Sequence, residues 1–521
     1  MAKVKFDTPK LNEHIEVPTL KPGVMSHSAP YKSKAKFQEF LDYQGLDEDD
    51  NFKLQPDWKE KTVEAMGDLL GKYRSLQVFL DSCVKCGSCT DKCHYFLGSA
   101  DPKNMPVARQ DLLRSVYRRY FTFFGKFKLT RKLVGAVDLT EEVIDDWYSY
   151  FHQCSQCRRC SVFCPYGIDT AEISMAAREI LDRIGIGQKY CNEIIGKLLK
   201  IGNNLGLPGP ALFNTLEGLE EDVFDETGVA VKFPCDVKGS DILLITPSAD
   251  FFAEPHIDGL IGYAKVFHEA GVTWTMSSYA SEGANFGMFI GSYENMRRIS
   301  MRIREAALEL GVKRIVFGEC GHAWRVGYAF LNTLAGPFDF LDKNYPIPQH
   351  ILEFTIAELE KGTLNIDKSR NDDMTLTFHD SCNVARATRI GEDPGSQFTA
   401  PRQVIKAVCN NYVDMAEETI LEQTFCCGGG GGILTDDLME IRVKGALPRM
   451  TALRDVVEDK GVTHLAAICA ICKSQFTKTL PYYGFDMFMM VSVHQLVSNA
   501  IILTGEESDD DEENSAEESD T

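Results

Sequence analysis

The sequence predicts an α+β protein of several domains, with a largely helical, cysteine-bearing segment first and two tandem α/β lobes after it. Three observations lead there. Two copies of C-x2-C-x2-C-x3-C, at Cys83, Cys86, Cys89, Cys93 and at Cys154, Cys157, Cys160, Cys164, lie among helical patterns with almost no strand signal. From about residue 240, short β-rich runs alternate with helical ones, the pattern of α/β folds. That alternation then recurs: a strand, a long excursion through a Gly-rich turn, and a strand leading into a cysteine-bearing turn and helix occupy 241–325 and again 374–475.

In chain order, residues 1–70 hold no cysteine and begin irregularly (PKLNEHIEVPTLKPG), with helical patterning from about Lys34; they read as an extension suited to contact a partner. Residues 71–200 form the helical domain, with helices predicted over 107–120, 141–151 and 170–184. Residues 201–238 are punctuated by Gly and Pro (GNNLGLPGP) and predict a linker. The first lobe, 239–365, carries the β-rich runs DILLITP (241–247) and VKRIVFG (312–318) and a helical pattern over 293–310. The second, 366–504, carries MTLTFHD (374–380), HLAAIC (464–469) and a helical pattern over 438–456. Residues 505–521 hold ten acidic groups and no basic one, the composition of a disordered, solvating tail.

A chain of 521 residues with 44% hydrophobic content has room for about three to four domains with real cores. Its net charge of −21 speaks against nucleic-acid binding. The opening MAKVKFDTPK has neither an apolar signal core nor a twin-arginine pair, and the most apolar stretch, 485–504, is broken by Asp486, His494, Gln495 and Asn499. A cytoplasmic protein is expected, with cysteines serving as reduced metal ligands. One segment opposes the acidic balance. From Arg114 to Lys132 there are seven basic residues, no acidic one, and the rings of Tyr117, Tyr120, Phe121, Phe123, Phe124 and Phe127. Such a mixture suits a lipid surface or a membrane-bound partner, and equally a helix whose rings face its own core.

The repeated cysteine run has the spacing of bacterial ferredoxins, in which three closely spaced thiolates wrap one cubane 4Fe-4S cluster and the fourth reaches across to the other. Cys83, Cys86, Cys89 and Cys164 are therefore expected on one cubane, and Cys154, Cys157, Cys160 and Cys93 on the second. Pro165 follows Cys164 as that pattern expects, whereas His94 follows Cys93, a departure. Structural zinc sites also use C-x2-C pairs, but zinc takes four ligands per site and has no need of triplets.

A third group, Cys382, Cys426, Cys427, Cys469 and Cys472, is spaced C-x43-CC-x41-C-x2-C. Adjacent cysteines serving one metal site favour a bent turn and an assembly of several irons. Gly428, Gly429 and the glycines up to Gly432 supply the bend, since residues without Cβ take positive φ and let backbone N–H groups approach sulfur. Five thiolates exceed what a cube requires. Cys469 and Cys472 alone would suit a thioredoxin-like dithiol, but three further cysteines accompany them. The glycine run has no nucleotide-loop register.

This third group resembles the cysteine-rich "CCG" domain of heterodisulfide reductases. The whole arrangement, over about residues 70–500, is similar to the iron-sulfur subunits of that family in the membrane complexes of sulfite- and sulfate-reducing microbes. The segment CVKCGSCTDKCHYFLGSADPKNMPVARQDLLRSVYR adds to the likeness. The resemblance implies a helical two-cluster ferredoxin domain followed by two CCG-type lobes. It also implies one noncubane 4Fe-4S cluster on Cys382, Cys426, Cys427, Cys469 and Cys472, at which disulfides are cleaved. Electrons would come from membrane quinol through a haem b subunit of the same complex, and the substrate would be a disulfide or trisulfide on a small sulfur-carrier protein. Attachment to the membrane would be peripheral, through partners.

The first lobe departs from the pattern. Asn285 and Phe286 stand at the place of the paired cysteines, the strand-end site near Ser248 has no thiol, and of the C-x2-C only Cys320 remains, so one such cluster is expected. Cys320 and His322 either face the second lobe's site or are a buried thiol and a surface imidazole. Cys191, Cys235 and Cys409 read as core thiols. Lys473, His322 and His379 are nearby candidates for protonating a departing thiolate. A competing reading is an electron conduit, the iron-sulfur subunit of a glycolate-, lactate- or glycerol-phosphate-oxidising complex in which the chemistry belongs to a separate flavoprotein.

Overall fold

A computed structural model of the chain describes residues 54–505; the partner-contact expectation for the N-terminal extension falls largely on residues 1–53, which, like the acidic tail from 506, lie outside the described residues. The helical domain starts earlier than residue 71. Helix Trp58–Lys72 buries Trp58, Thr62, Ala65, Met66 and Leu69, a spacing that lines one face. That face joins the core built by helices Pro106–Phe121, Glu141–His152 and Thr170–Arg183, around Leu113, Trp147, Ile173 and Ile180. Thr140 and Asp169 cap the last two helices, their side chains accepting from the N–H groups of Val143 and Ala171.

The expected linker contains a 19-residue helix, Gly209–Thr227. Pro210 opens it and Gly228, in the left-handed region, closes it. Leu212, Leu216, Leu219 and Val223 lie on one face and pack into the core of the first sheet, so this stretch is part of the folded body. The glycines and prolines of 201–238 punctuate a helix that their density concealed.

All four predicted strands form, as β1 (Ile242–Ile245), β3 (Arg314–Phe317), β5 (Leu376–His379) and β6 (His464–Ala467). Three shorter ones join them: β2 (Trp274–Thr275), β4 (Gln349–His350) and β7 (Met490–Ser492). Two all-parallel sheets result, in the orders β2-β1-β3-β4 and β5-β6-β7. β1 and β5 are buried at every position, as strands covered on both faces must be; β1 is a continuous apolar run, whereas β5 carries Thr377 and His379 among its apolar residues. In parallel sheets functional groups collect beyond the carboxyl ends of the strands, and there Cys382 follows β5, Cys469 follows β6 and Cys320 follows β3.

The basic, aromatic segment divides. Helix Pro106–Phe121 buries Arg114 and Tyr117, and Arg118 and Arg119 turn to the Val134 carbonyl and to Asp138. Beyond it, Phe123, Phe124 and Phe127 cluster edge to face, and Leu129 and Leu133 are 89% and 86% exposed, among the exposed Lys126, Lys128 and Lys132. Among the described residues no helix is long and apolar enough to cross a membrane.

Candidate metal centre

The two ferredoxin-type loops share one backbone design. In the first, Lys85 and Gly87 have φ of 57° and 83°; in the second, Gln156 and Arg158 have 56° and 61°. The residues on either side of the central cysteine are thus left-handed in both, which curls each loop into a cup. Cys89 lies near Cys83 and Cys164: burial pushes its thiol up to about 11, and their negative charge adds to the shift. Cys160 lies near Cys157, Cys154 and Cys93, and burial together with these charges pushes it well above the usual thiol value. The structure thus gathers the thiols across the two runs. Arg109, wholly buried in helix Pro106–Phe121, stands beside Cys154, Cys93 and Cys160; burial opposes its charge, but these sulfurs raise its pKa.

In the second lobe Cys382, Cys426, Cys427, Cys469 and Cys472 are all at most 2% exposed. Their thiols form an unbroken chain of contacts from Cys382 through Cys426, Cys427 and Cys472 to Cys469, which continues to Cys320 of the first lobe. Cys426 is held well below the usual thiol value by hydrogen bonds from Cys382 and Cys427, and Cys469 by hydrogen bonds from Cys320 and Cys472. The glycine run is required by close approach. A Cβ on Gly428 (φ 98°) would stand 2.7 Å from the Ala446 nitrogen, and one on Gly431 (φ 73°) 2.8 Å from the Cys154 carbonyl. The Gly428 N–H donates to the Cys426 sulfur at 3.4 Å.

Two imidazoles border this thiol chain. His94 stands between the second ferredoxin-type loop and the second lobe, with Nδ1 donating to the Gly445 carbonyl at 2.8 Å and Nε2 2.8 Å from Ser155 Oγ. Burial alone would lower its pKa, yet the negative charge of Cys426 and hydrogen bonding to Cys157 and Cys426 carry it well above the ordinary imidazole value. His322 is buried, contrary to the surface-imidazole reading. Its proton is placed by a chain of fixed donors: Arg325 Nη1 donates to Asn383 Oδ1 at 2.8 Å, so the Asn383 amide nitrogen faces His322 Nε2, also at 2.8 Å. His322 Nε2 must accept. Nδ1 therefore carries the hydrogen and donates to Cys469 Sγ at 3.6 Å.

The other proton-donor candidates fare differently. Lys473 is wholly buried and ion-paired with Glu319 at 3.3 Å. His379 packs edge-on against Phe476, neither ring nitrogen has a hydrogen-bond partner, and burial drives its pKa well below the ordinary value. Cys191 and Cys409 are buried in the core, and Cys235 is half-buried and pairs with Met276, just past β2.

Sequence reasoning missed His94, Asn383 and Arg325. His94 had a signal, the break in the Pro-after-Cys pattern. Asn383 had only its place beside Cys382, and Arg325 had none.

Arginines join the domains around these thiols. Arg178 donates to the carbonyls of Phe151, Phe289 and Gly431, touching the helical domain, the first lobe and the glycine run at once. Arg159 donates to the Gln423 carbonyl, and Tyr95 Oη to that of Gly428 at 2.7 Å. Among the described residues no group of three or more His, Cys, Asp or Glu side chains forms a coordination sphere for a single metal ion. The residues fit iron-sulfur clusters by the chemistry of their donors. Soft thiols are grouped on cupped loops, and a glycine cradle points N–H at sulfur.

Comparison with known proteins agrees. Residues 79–168 match the family model of a 4Fe-4S dicluster domain, and residues 376–477 match that of a cysteine-rich domain, CCG. The chain is 43% identical over 492 residues to the Hdr-like menaquinol oxidoreductase iron-sulfur subunit 2 of Archaeoglobus fulgidus, covering 88% of this chain and 87% of that protein. It is 42% identical over 493 residues to the Hdr-like menaquinol oxidoreductase iron-sulfur subunit of Archaeoglobus profundus, covering 88% and 86%. Similarity at 24% extends over 437 residues to one subunit of the dihydromethanophenazine:CoB–CoM heterodisulfide reductase of Methanosarcina mazei, 81% of this chain and 94% of that one. No solved structure matches the chain significantly.

Proposed function

Because the chain belongs to the family of Hdr-like menaquinol oxidoreductase iron-sulfur subunits, we propose that it carries electrons drawn from menaquinol to the S–S bond of a disulfide or trisulfide on a small sulfur-carrier protein. In this reading it is the catalytic subunit of a membrane complex in dissimilatory sulfur metabolism and receives its electrons from a haem b subunit. Cys83, Cys86, Cys89 and Cys164 would hold one cubane 4Fe-4S cluster, and Cys93, Cys154, Cys157 and Cys160 the other. Cys382, Cys426, Cys427, Cys469 and Cys472 would hold a noncubane one, with Gly428 and Gly429 against its sulfurs. The two sheets are read as related lobes of which the second alone keeps the full thiol set.

The observation that carries the proposal is the unbroken thiol chain of the second lobe, joined to the second ferredoxin-type loop by His94. When bound, iron-sulfur clusters supply electrons singly and an iron to which sulfur can attach. Opening an S–S bond takes two electrons and two protons. The five thiols are at most 2% exposed, and the backbone of Gly428 holds Cys426 in place. His322 keeps a proton at Nδ1 against Cys469 Sγ, where a departing sulfur needs one. The exposed Phe and Leu side chains of 123–133, with Lys126, Lys128 and Lys132, are the surface this reading gives to the membrane partner.

The purified chain should carry about 12 irons, three clusters of four. Electron paramagnetic resonance of the oxidised protein should give a signal that changes on adding 2-hydroxyethyl disulfide. Signals of reduced cubes alone, indifferent to disulfide, would remove the catalytic role and leave a conduit. A second expectation concerns His322. Its replacement by alanine should leave the iron content intact while lowering disulfide reduction about 10- to 100-fold, the usual effect of losing a partner that orients a metal ligand. Asn383→Leu should do the same with a smaller effect, and an unchanged rate and midpoint potential in both would rule this role out.

A further inference from the structure

The two sheets match more closely than their strand counts suggest. Leu376 of β5 makes an isolated parallel pairing with Tyr412, which supplies the second lobe with the counterpart of β2 beside β1. In this alignment Cys382 corresponds to the Ser248 region after β1. The Cys426–Cys427 turn corresponds to Asn285–Phe286, and Cys469 and Cys472 correspond to Cys320 and Ala323 at the start of helix Gly321–Ala335.

At that corresponding place the first lobe has a cavity of about 200 Å³, whose walls include Asn285, Phe286, Cys320 and Ala323, closed from the other side by Ala470 and Ser474 of helix Ala470–Thr479. The cavity runs inward from the surface: Leu205 on its wall is 45% exposed, whereas Cys320 is 4% exposed. Cys320 and Ala470 both line the cavity, and a Cβ on Gly321, next to Cys320, would stand 3.4 Å from the Cys469 sulfur, so the inner end of the cavity adjoins the last thiol of the second-lobe chain.

Size selects the occupant. Pockets that bury drug-sized ligands span about 300–1,000 Å³. A cavity of about 200 Å³ lies below that range, too small for a large cofactor or a folded domain. The walls mix apolar side chains (Leu205, Phe286, Ile471) with the amides of Asn204 and Asn285, the Ser474 hydroxyl and the carboxyl of Glu282, which already accepts from Ser248; this suits a slim chain with a polar backbone and a sulfur at its tip.

We propose that the vacated metal site of the first lobe is the substrate port: it admits a thiol- or disulfide-terminated chain and sets the terminal sulfur against Cys320 and Cys469. This rests on the reading of the second-lobe thiols as the place where an S–S bond is opened. Loss of the first lobe's thiols and access to the second lobe's are then one structural fact.

The test uses the full chain with its clusters. Methyl methanethiosulfonate, which transfers a methylthio group to a cysteine thiol and releases methanesulfinate, is added to the oxidised protein. Modified residues are located by mass spectrometry and iron is measured on the same sample. Cys320 should be labelled with iron retained. Ala249→Trp, on the cavity wall, should slow that labelling by about tenfold or more, as access-limited exchange requires. Leu205→Trp, at an exposed position, provides the same block with no demand on folding. A disulfide-bearing tetrapeptide should compete with the labelling if the natural chain end is peptidic, and 2-hydroxyethyl disulfide alone if it is a free small thiol. Absence of Cys320 labelling in the wild type, or labelling unaffected by both tryptophans, overturns the port. The disulfide-induced resonance signal is read in parallel. If it persists while the port fails, the catalytic reading stands. If it is absent while Cys320 is labelled through the cavity, the catalytic reading falls and the cavity remains only an entrance to a thiol.

Discussion

Replacement of Cys427 by serine is expected to lower iron from about 12 to about 8 per chain and to reduce disulfide reduction to background, while the two cubane signals persist. The selectivity follows from geometry. Cys427 touches Cys426 and Cys472 and so occupies the middle of the second-lobe thiol chain, whereas the ferredoxin-type thiols are held on cups formed by their own loops. A serine hydroxyl is a hard, weakly acidic donor and does not replace a thiolate toward iron. Iron analysis and resonance spectra of the same sample check this, and loss of the cubane signals together with the third would show that the centres are not independent. The conduit reading expects electron transfer to a partner to survive this substitution, so the variant also separates the two functional readings.

The second large effect is on stability. Glu319, Lys473 and His494 are all wholly buried where the two lobes meet. Lys473 Nζ lies 3.3 Å from Glu319 Oε2, Ser492 Oγ donates to the same oxygen at 2.6 Å, and His494 donates to Oε1 through its backbone N–H at 2.9 Å and through Nδ1 at 2.7 Å. Glu319 thus ties the first lobe to β7 and to the helix bearing Cys472. Glu319→Ala leaves the ammonium and several donors buried without an acceptor, which costs about 3–5 kcal/mol in comparable sites. Denaturant unfolding measures it, and a change below about 1 kcal/mol would show that the network contributes nothing net.

The same carboxyl has a pH signature. Burial by itself would raise its pKa, but Lys473, His494 and Ser492 pull it down to about 2. A depressed carboxyl stabilises the fold fully above the unfolded value of about 4.3 and loses that contribution as pH falls toward 2. The stability gap between wild type and Glu319→Gln should therefore be constant above about pH 5 and shrink between about pH 4 and 2.

Much of this was legible in the one-dimensional pattern. Metal-ligand spacing is local: three thiols within seven residues, or two within four, must share a loop or the first turn of a helix whatever surrounds them. The longer strands were equally readable, because a parallel strand buried on both faces is rich in apolar and β-branched residues: β1 (ILLI) is apolar throughout, β3 (RIVF) and β6 (HLAA) nearly so, and β5 (LTFH) keeps its β-forming Thr and Phe. β2, β4 and β7, of two or three residues, are too short to show any period. The helix Gly209–Thr227 was hidden by the Gly- and Pro-rich residues before it, although its leucine spacing was present to be read.

By itself, then, the sequence determined the chemistry of the donors, the order of the domains and the number of full thiol sets, since each is read from residue identity and spacing along the chain. Only the tertiary structure decided how those sets adjoin. His94 reaches Gly445 across 351 positions, Asn383 reaches His322 across 61, and Cys320 meets Cys469 from the other lobe. The direction of a ring N–H, the packing of one thiol against another and the space beside Cys320 are products of packing between distant segments. No local pattern encodes them.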